Sequence, residues 1–327
     1  MQDIPHELFE DLPSAQDKKQ ALQKQLHTYL QSPEFQTPSG QVAQKAIKEL
    51  QDKVVGEDVA LPYLSLLVLH RQPPMDKTML TKVVRKLSGM LERDYDHRAG
   101  EPKDLILSAL HDIAAPTNIS QLKTRNCVGA CIQIRLALCD PLTYLDMLDT
   151  LAQNKTYTTK TGKEIEPNWN FAHEKKKWFG MDSRRPLATA IIQDAIMDYA
   201  NGAQPFDSQN NIFGLMQWEI SKGMNAFSPN RYRVFSDGPY GANDRSWQKL
   251  LEEEPSYDNP VLNIMTYGTP DGAAHAVLVV DIDTEEDLVT LINPWGRCET
   301  MPVAMFRANL LGFMLEVRPR HTQPHAA

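Results

Sequence analysis

The chain has 327 residues, of which 42% are hydrophobic and 23% are charged, so its composition excludes a wholly disordered protein. This length favours two domains over one. The 34 basic and 42 acidic residues give a formal net charge of −8, which argues against nucleic-acid binding through a basic surface and against docking on an anionic membrane.

The sequence gives no sign of membrane targeting or of a disulfide framework. Its first residues lack the basic and apolar regions of a Sec-type signal peptide, and the longest apolar run, 64–69, is far shorter than the roughly 20 residues of a spanning helix. Three of the four cysteines lie within 127–139, which favours free thiols in a reducing compartment or a reactive site. We therefore expect a cytoplasmic protein, or one delivered into a host cell by a non-Sec route.

The first 113 residues carry helical patterns and little else. Apolar residues recur there at spacings of three and four, separated by short turn-rich spacers. The predicted helices cover 14–30, 38–56, 61–69, 76–91 and 102–113. We interpret residues 1–113 as a helical bundle with a docking or regulatory role.

The remaining residues, 114–327, place helices before strands. Apolar faces predict helices over 127–138 and 186–200, whereas later segments alternate with period two or form short β-branched runs. The predicted strands cover 260–267, 276–282, 288–292 and 313–317. This order indicates an α+β fold.

Cys127 is the first candidate for chemistry. It falls in the first turn of its predicted helix, and Asn126 before it is a residue type that caps helices. Unsatisfied N–H groups at a helix start favour a negative charge, and the thiolate is the nucleophilic form of cysteine. Such a nucleophile also needs a histidine, and that histidine needs a third group to orient it.

His275 opens one predicted strand, and Asn293 ends the next. The connection between these strands is short, so the two should pair as a hairpin. The end of the second strand then returns to the start of the first. This pairing predicts that Asn293 lies beside His275 and holds its imidazole ring.

Gln121, Cys127 six residues later, a distant His275 and the sequence Asn-Pro-Trp-Gly over 293–296 together resemble the papain-like cysteine proteases, most of all the calpain catalytic core. The resemblance covers about residues 116–318. It implies a papain-like fold, with the cysteine at a helix start in one half and the histidine and asparagine in a β half.

The same resemblance implies a role for each of these residues. Cys127 would be the nucleophile, His275 the general acid and base, and Asn293 the residue that orients the histidine. Gln121 would donate its side-chain amide to the oxyanion, and Trp295 would cover the bond between asparagine and histidine. The implied activity is cleavage of a protein substrate by a thiol protease.

Three features depart from that family. Val128 replaces the usual aromatic residue after the cysteine, and the glycine pair of the substrate cleft is not evident. The stretch 113–139 contains no Asp or Glu, so the hard oxygen ligands that calcium requires are missing there. We expect neither a metal nor a cofactor. Val128 and the missing glycine pair make an inactive papain-like binding module an alternative to the protease.

The sequence allows a second cysteine to compete for the role of nucleophile. Cys131 competes weakly with Cys127, because it would lie a full turn into the helix, where a thiol is usually inert. Cys139 and Cys298 are expected to be small hydrophobes. His173 is expected to lie in a solvated charged loop.

The reaction and the role of the N-terminal bundle also allow more than one interpretation. A glutamine deamidase or transglutaminase would share the thioester intermediate of a thiol protease. A protein partner could dock on the bundle, or the bundle could be a removable inhibitory segment. The short link before Gln121 favours docking, because removal of a segment usually needs a long exposed tether.

Overall fold

The computed structural model of the protein describes residues 15–54, 60–122, 124–170, 177–178, 181–182, 185–202, 215–228, 230–236, 243–266 and 274–317. Within these residues the helices come first and a six-stranded antiparallel sheet follows. The prediction of an α+β fold is thereby confirmed.

The N-terminal part contains the five predicted helices. They are α1 (Ala15–Leu30), α2 (Pro38–Lys53), α3 (Ala60–Ser65), α4 (Lys77–Met90) and α5 (Pro102–Ala114). A π-helical turn, Leu66–His70, continues α3. The Asp76 carboxylate accepts the Met79 N–H at 2.8 Å and so fixes the start of α4.

Four further helices precede the large sheet. They are α6 (Cys127–Cys139), α7 (Pro141–Ala152), α8 (Leu187–Asn201) and α9 (Gln217–Phe227). The sequence patterns predicted α6 and α8 but missed α7 and α9. Helix α7 begins at once after α6 because Pro141 suits a first helical position and Asp140 caps it by accepting the Thr143 N–H.

In the described residues, two small antiparallel strand pairs lie between α7 and α8. One pairs β1 (Tyr157–Thr158) with β2 (Glu164–Ile165), and the other pairs β3 (Lys177–Trp178) with β4 (Met181–Asp182). Each of these strands has only two residues, which is too short for a sequence pattern to indicate.

The C-terminal part carries the large sheet and two short helices. Its elements are β5 (Tyr232–Phe235), α10 (Asp244–Leu251), β6 (Val261–Met265), β7 (His275–Asp283), β8 (Leu288–Asn293), β9 (Arg297–Pro302), α11 (Val303–Asn309) and β10 (Leu310–Glu316). The strand order is β5-β10-β6-β7-β8-β9. The sequence patterns predicted β6, β7, β8 and β10 and missed the other elements of this part.

Both faces of the large sheet are buried. Leu278 and Ile292 face the helices, whereas Val279, Leu291 and Phe306 pack in a second core with α10. The helix-side core runs without interruption from α1 to β10. The N-terminal helices and the sheet therefore share one interior, while the division into two domains at residue 113 stays a prediction. Within the described residues, no helix has the length and apolarity to cross a membrane.

Candidate active site

The hairpin of β7 and β8 brings His275 and Asn293 together. The strands pair antiparallel, and the His275 Nε2 lies 3.0 Å from the Asn293 Oδ1. Because an amide oxygen only accepts, Nε2 carries the hydrogen, and in the neutral ring Nδ1 is left as a proton acceptor. The Trp295 N–H donates to the same Oδ1 at 3.2 Å. The predicted contact between histidine and asparagine is present.

Two further side chains hold this pair. The Trp295 ring stacks on the His275 ring, with centroids 4.7 Å apart and planes 27° apart. The Asn293 amide donates to the Glu299 carboxylate at 3.1 Å, and this bond sets which end of the amide faces His275. Glu299 was not predicted from the sequence. The sequence alone indicates little about Glu299, because only the pairing of β8 with β9 brings this residue beside Asn293.

Gln121 and its neighbour join the helical half to this β half. The Gln121 N–H donates to the Pro294 carbonyl at 2.7 Å, and Ser120 forms an antiparallel bridge with Trp295. The chain that leads into α6 therefore runs directly along the segment that follows Asn293. This contact places the cysteine and histidine halves of the site against each other.

Gly296 makes that close approach sterically acceptable. Its φ is +84°, and a Cβ there would lie 3.1 Å from the Asn118 carbonyl oxygen and 3.3 Å from the Ser120 Cβ. A side chain would thus be strained by the backbone conformation and would press against the incoming chain. The final glycine of Asn-Pro-Trp-Gly is required by this geometry.

Cys127 is the first residue of α6 and is half-buried. Its sulfur lies near the N–H of Ala276, the residue after His275 in β7. The N–H groups of Cys127 and Val128, in the first turn of α6, also lie close to the sulfur. These three donors suit an anion, as expected at a helix start. In the described structure the thiol makes no direct hydrogen bond to the His275 ring.

Asn126 occupies the N-cap position but does not cap α6 with its side chain, so that part of the sequence interpretation is wrong. Its Nδ2 donates instead to the Gln193 Oε1 at 2.6 Å, and its Oδ1 accepts a short hydrogen bond from the Thr124 hydroxyl. The amide is fully buried and turned away from the helix. The first-turn N–H groups of α6 therefore remain uncapped by Asn126.

Burial shifts the two titrating groups in opposite directions. It raises the pKa of the Cys127 thiol, against the effect of the surrounding N–H groups. It lowers the pKa of His275, against the Asn293 hydrogen bond and the charge of Glu299. Both shifts favour the neutral forms. Taken separately, the resting groups are a thiol and a neutral imidazole.

Gln121 was predicted to be the oxyanion donor, and its side chain is partly engaged elsewhere. Its Nε2 donates to the Thr124 carbonyl at 2.9 Å, which uses one of two amide hydrogens. Within the described residues, its Oε1 is a buried acceptor without a hydrogen-bond partner. The second hydrogen of Nε2 is what the side chain can offer to a ligand.

The other cysteines differ from Cys127. Cys131 is fully buried, and burial raises its pKa well above the usual value, as expected of an inert thiol. Cys139 and Cys298, which were expected to be small hydrophobes, are both exposed. All four thiols are free. The prediction for His173 falls outside the described residues.

Comparisons with known proteins add no identification. No protein-family model, curated protein or solved structure matches this chain. Within the described ranges, no group of three or more His, Cys, Asp or Glu side chains is arranged to hold a metal ion. The geometry of the site is therefore the basis on which its function is proposed below.

Proposed function

We propose that this protein is a papain-like thiol protease that cleaves a protein substrate through an acyl-enzyme on Cys127. The observation that carries this proposal is the His275–Asn293 pair under the Trp295 ring, with the Cys127 sulfur beside the N–H that follows His275. A histidine fixed by an asparagine next to a cysteine at a helix start is the arrangement that thiol catalysis needs.

In this mechanism the unprotonated His275 Nδ1 takes the Cys127 proton as the sulfur attacks the substrate carbonyl. The carbonyl oxygen becomes an oxyanion, and it receives hydrogen bonds from the Cys127 N–H and the Gln121 Nε2. His275 then gives its proton to the leaving amine. Water, deprotonated by His275, attacks the thioester and releases the acid. Asn293 keeps the ring oriented in each step.

The opposite pKa shifts of Cys127 and His275 bear on how the nucleophile forms. Since both groups favour their neutral forms, the thiolate arises by proton transfer to His275 and not by loss of a proton to solvent. Ion-pair formation then depends on the attraction between thiolate and imidazolium in a partly desolvated site. Removal of His275 should leave an unreactive thiol.

A direct test compares peptide termini in a cell lysate treated with wild type, Cys127→Ala or the exposed-cysteine control Cys298→Ala. We expect new peptide termini with wild type and the control only. Conversion of glutamine to glutamate without new termini would instead support a deamidase, since the thioester is shared. No chemical difference between wild type and Cys127→Ala would contradict both hypotheses.

The neutral pair also favours a second candidate, a binding module that has lost catalysis. The rate of iodoacetamide labelling of Cys127 separates the two. A working pair should be labelled at about pH 6.5, below the usual thiol pKa, and His275→Ala should slow that labelling. If labelling of wild type follows the alkaline profile of a buried thiol, and His275→Ala does not change it, the protease proposal is wrong.

A further inference from the structure

A buried chain of polar side chains runs from the cysteine helix to the N-terminal helices. The Asn126 Nδ2 donates to the Gln193 Oε1 at 2.6 Å, and the Gln193 Nε2 donates to the Gln133 Oε1 at 2.9 Å. The Gln133 Nε2 donates in turn to the Asp112 Oδ2 at 2.8 Å. All four side chains are fully buried, on the turn before α6, on α8, on α6 and on α5.

The donor-to-acceptor direction of these hydrogen bonds is fixed, because the group at one end can only accept and the group at the other end can only donate. At one end the Asp112 carboxylate is an acceptor, so Gln133 must present its N–H₂ group to it. At the other end the Arg185 guanidinium, paired with Asp194 at 2.7 Å, donates to the Gln193 Oε1 at 3.2 Å. A guanidinium only donates, so Gln193 must present its oxygen there.

These two ends leave one orientation for every amide between them. If Gln193 were turned over, its N–H₂ group would face the Arg185 donors and its oxygen would face the Gln133 oxygen. A buried polar group without a partner costs about 1–3 kcal/mol, and a turned amide here would leave more than one. The Gln193 Oε1 is therefore held as an acceptor toward Asn126.

This acceptor determines what Asn126 can do. Asparagine at an N-cap position normally accepts an N–H from the first turn through its Oδ1. Here its Nδ2 is engaged by Gln193 and its Oδ1 by the Thr124 hydroxyl, so no side-chain cap forms. The first-turn N–H groups, those of Cys127 and Val128 among them, are therefore left without a side-chain cap from Asn126, close to the Cys127 sulfur.

The close packing of α6 on α8 allows the Gln193 side chain to contact Asn126. A Cβ on Gly129 would lie 2.9 Å from the Met197 Cγ and 3.0 Å from the Gln193 carbonyl oxygen. The glycine therefore lets the two helices approach closely near Cys127. This approach brings the Gln193 side chain within reach of Asn126.

We propose that Gln193 is a positioning residue of the Cys127 site, which keeps the Asn126 side chain away from the first turn of α6 and leaves its N–H groups for the thiolate and the oxyanion. This inference rests on the proposed function and goes beyond it. In the described part of the chain Gln193 makes no hydrogen bond to the Cys127 sulfur, and it acts through Asn126.

The test measures the pH dependence of Cys127 alkylation in the full chain, using iodoacetamide. The titratable groups around the thiol are His275 on β7, with Glu299 behind it through Asn293, and Cys131 one turn along α6. All remain unchanged in Gln193→Met, which removes only the amide. We expect labelling at about pH 7 to slow by about tenfold, the equivalent of one lost hydrogen bond to a charged group.

A second substitution separates positioning from loosened packing. If Asn126 caps the helix once Gln193 is gone, then Asn126→Ala in the Gln193→Met background should restore the rate to within about twofold of Asn126→Ala alone. A double variant as slow as Gln193→Met would overturn the proposal. So would an unchanged labelling profile in a folded Gln193→Met protein.

If Gln193→Met does not fold, Asn126→Ser and Asn126→Ala give an independent test. Serine is too short to reach Gln193 but caps helices well, so it should slow labelling relative to alanine. Equal rates, or a faster serine variant, would contradict the inference. The His275→Ala control keeps the two proposals apart, because its failure to slow labelling would count against the protease and not against the role of Gln193.

Discussion

The two halves of the candidate site are held in different ways. In the β half, the register of β7 and β8 brings His275 to Asn293, and the side chains add hydrogen bonds to a backbone ladder that already fixes them. In the helical half, Cys127 owes its position to α6, but its surroundings depend on buried polar side chains on α5, α6 and α8. The β half should therefore tolerate loss of one side chain better than the helical half.

The largest expected effect comes from removing the His275 imidazole, the general acid and base of the proposed reaction. His275→Ala should lower the rate of proteolysis by about 10²–10⁴-fold, the usual contribution of general acid–base catalysis. The measurement is substrate cleavage at a fixed pH near neutrality, with Cys127 labelling alongside. A variant with more than half of the wild-type activity would show that the stacked histidine has no chemical role.

A substitution in the helical half should cost the most stability. Arg71 is buried and donates to the Ile113, Ala137 and Leu138 carbonyls at 2.8–3.0 Å, at the C-terminal ends of α5 and α6. Arg71→Met leaves these acceptors unpaired, so the free energy of unfolding in urea should fall by about 3 kcal/mol. The matched control, Lys45→Met, removes an exposed partner of Glu49 and should change nothing measurable.

In the β half, Glu299 offers a smaller and more selective effect. Glu299→Leu removes the acceptor of the Asn293 amide, so the amide can turn over and release His275. We expect activity to fall by about tenfold with little loss of stability. Glu299→Gln keeps an oxygen in place and should retain wild-type activity. Equal losses in the two variants would assign the effect to charge and not to amide orientation.

The smallest expected effect is a change of stability with pH. Because burial lowers the pKa of His275, the unfolded chain binds more protons than the folded protein between that lowered pKa and about pH 6.5. The free energy of unfolding should thus fall as the pH falls through that window, by at most about 1.4 kcal/mol per pH unit from this residue. His275→Ala should flatten the dependence. An equally steep profile in that variant would assign it to other groups.

Local sequence patterns were sufficient to predict contacts within one helix or between two strands joined by a short turn. The hairpin around His275 and Asn293 follows from two β-branched runs with a short turn, and helix α6 follows from its apolar spacing. The unusual role of Asn126 lies beyond such patterns. A good capping residue predicts a cap, but the Asn126 side chain instead donates to Gln193, 67 positions away.

The same limit explains why the buried polar chain was not predicted. Gln133 and Gln193 are each a polar residue on a largely apolar helix, and such a residue most often points to solvent. Only the packing of α5, α6 and α8 shows that the two amides face each other and reach Asp112. The available signal was weak: a glutamine in the middle of a helix that is apolar on every side needs a buried partner.

The shared interior of the N-terminal helices and the sheet has a consequence for how the protein melts. Arg71 and Asp112 precede the predicted boundary at residue 113, yet their hydrogen bonds end on α6, α7 and α8. Two parts joined in this way should lose their structure together, so we expect calorimetry to record one cooperative transition. A chain cut within residues 115–120 should likewise stay together as a complex of two fragments, each lacking a stable fold without the other.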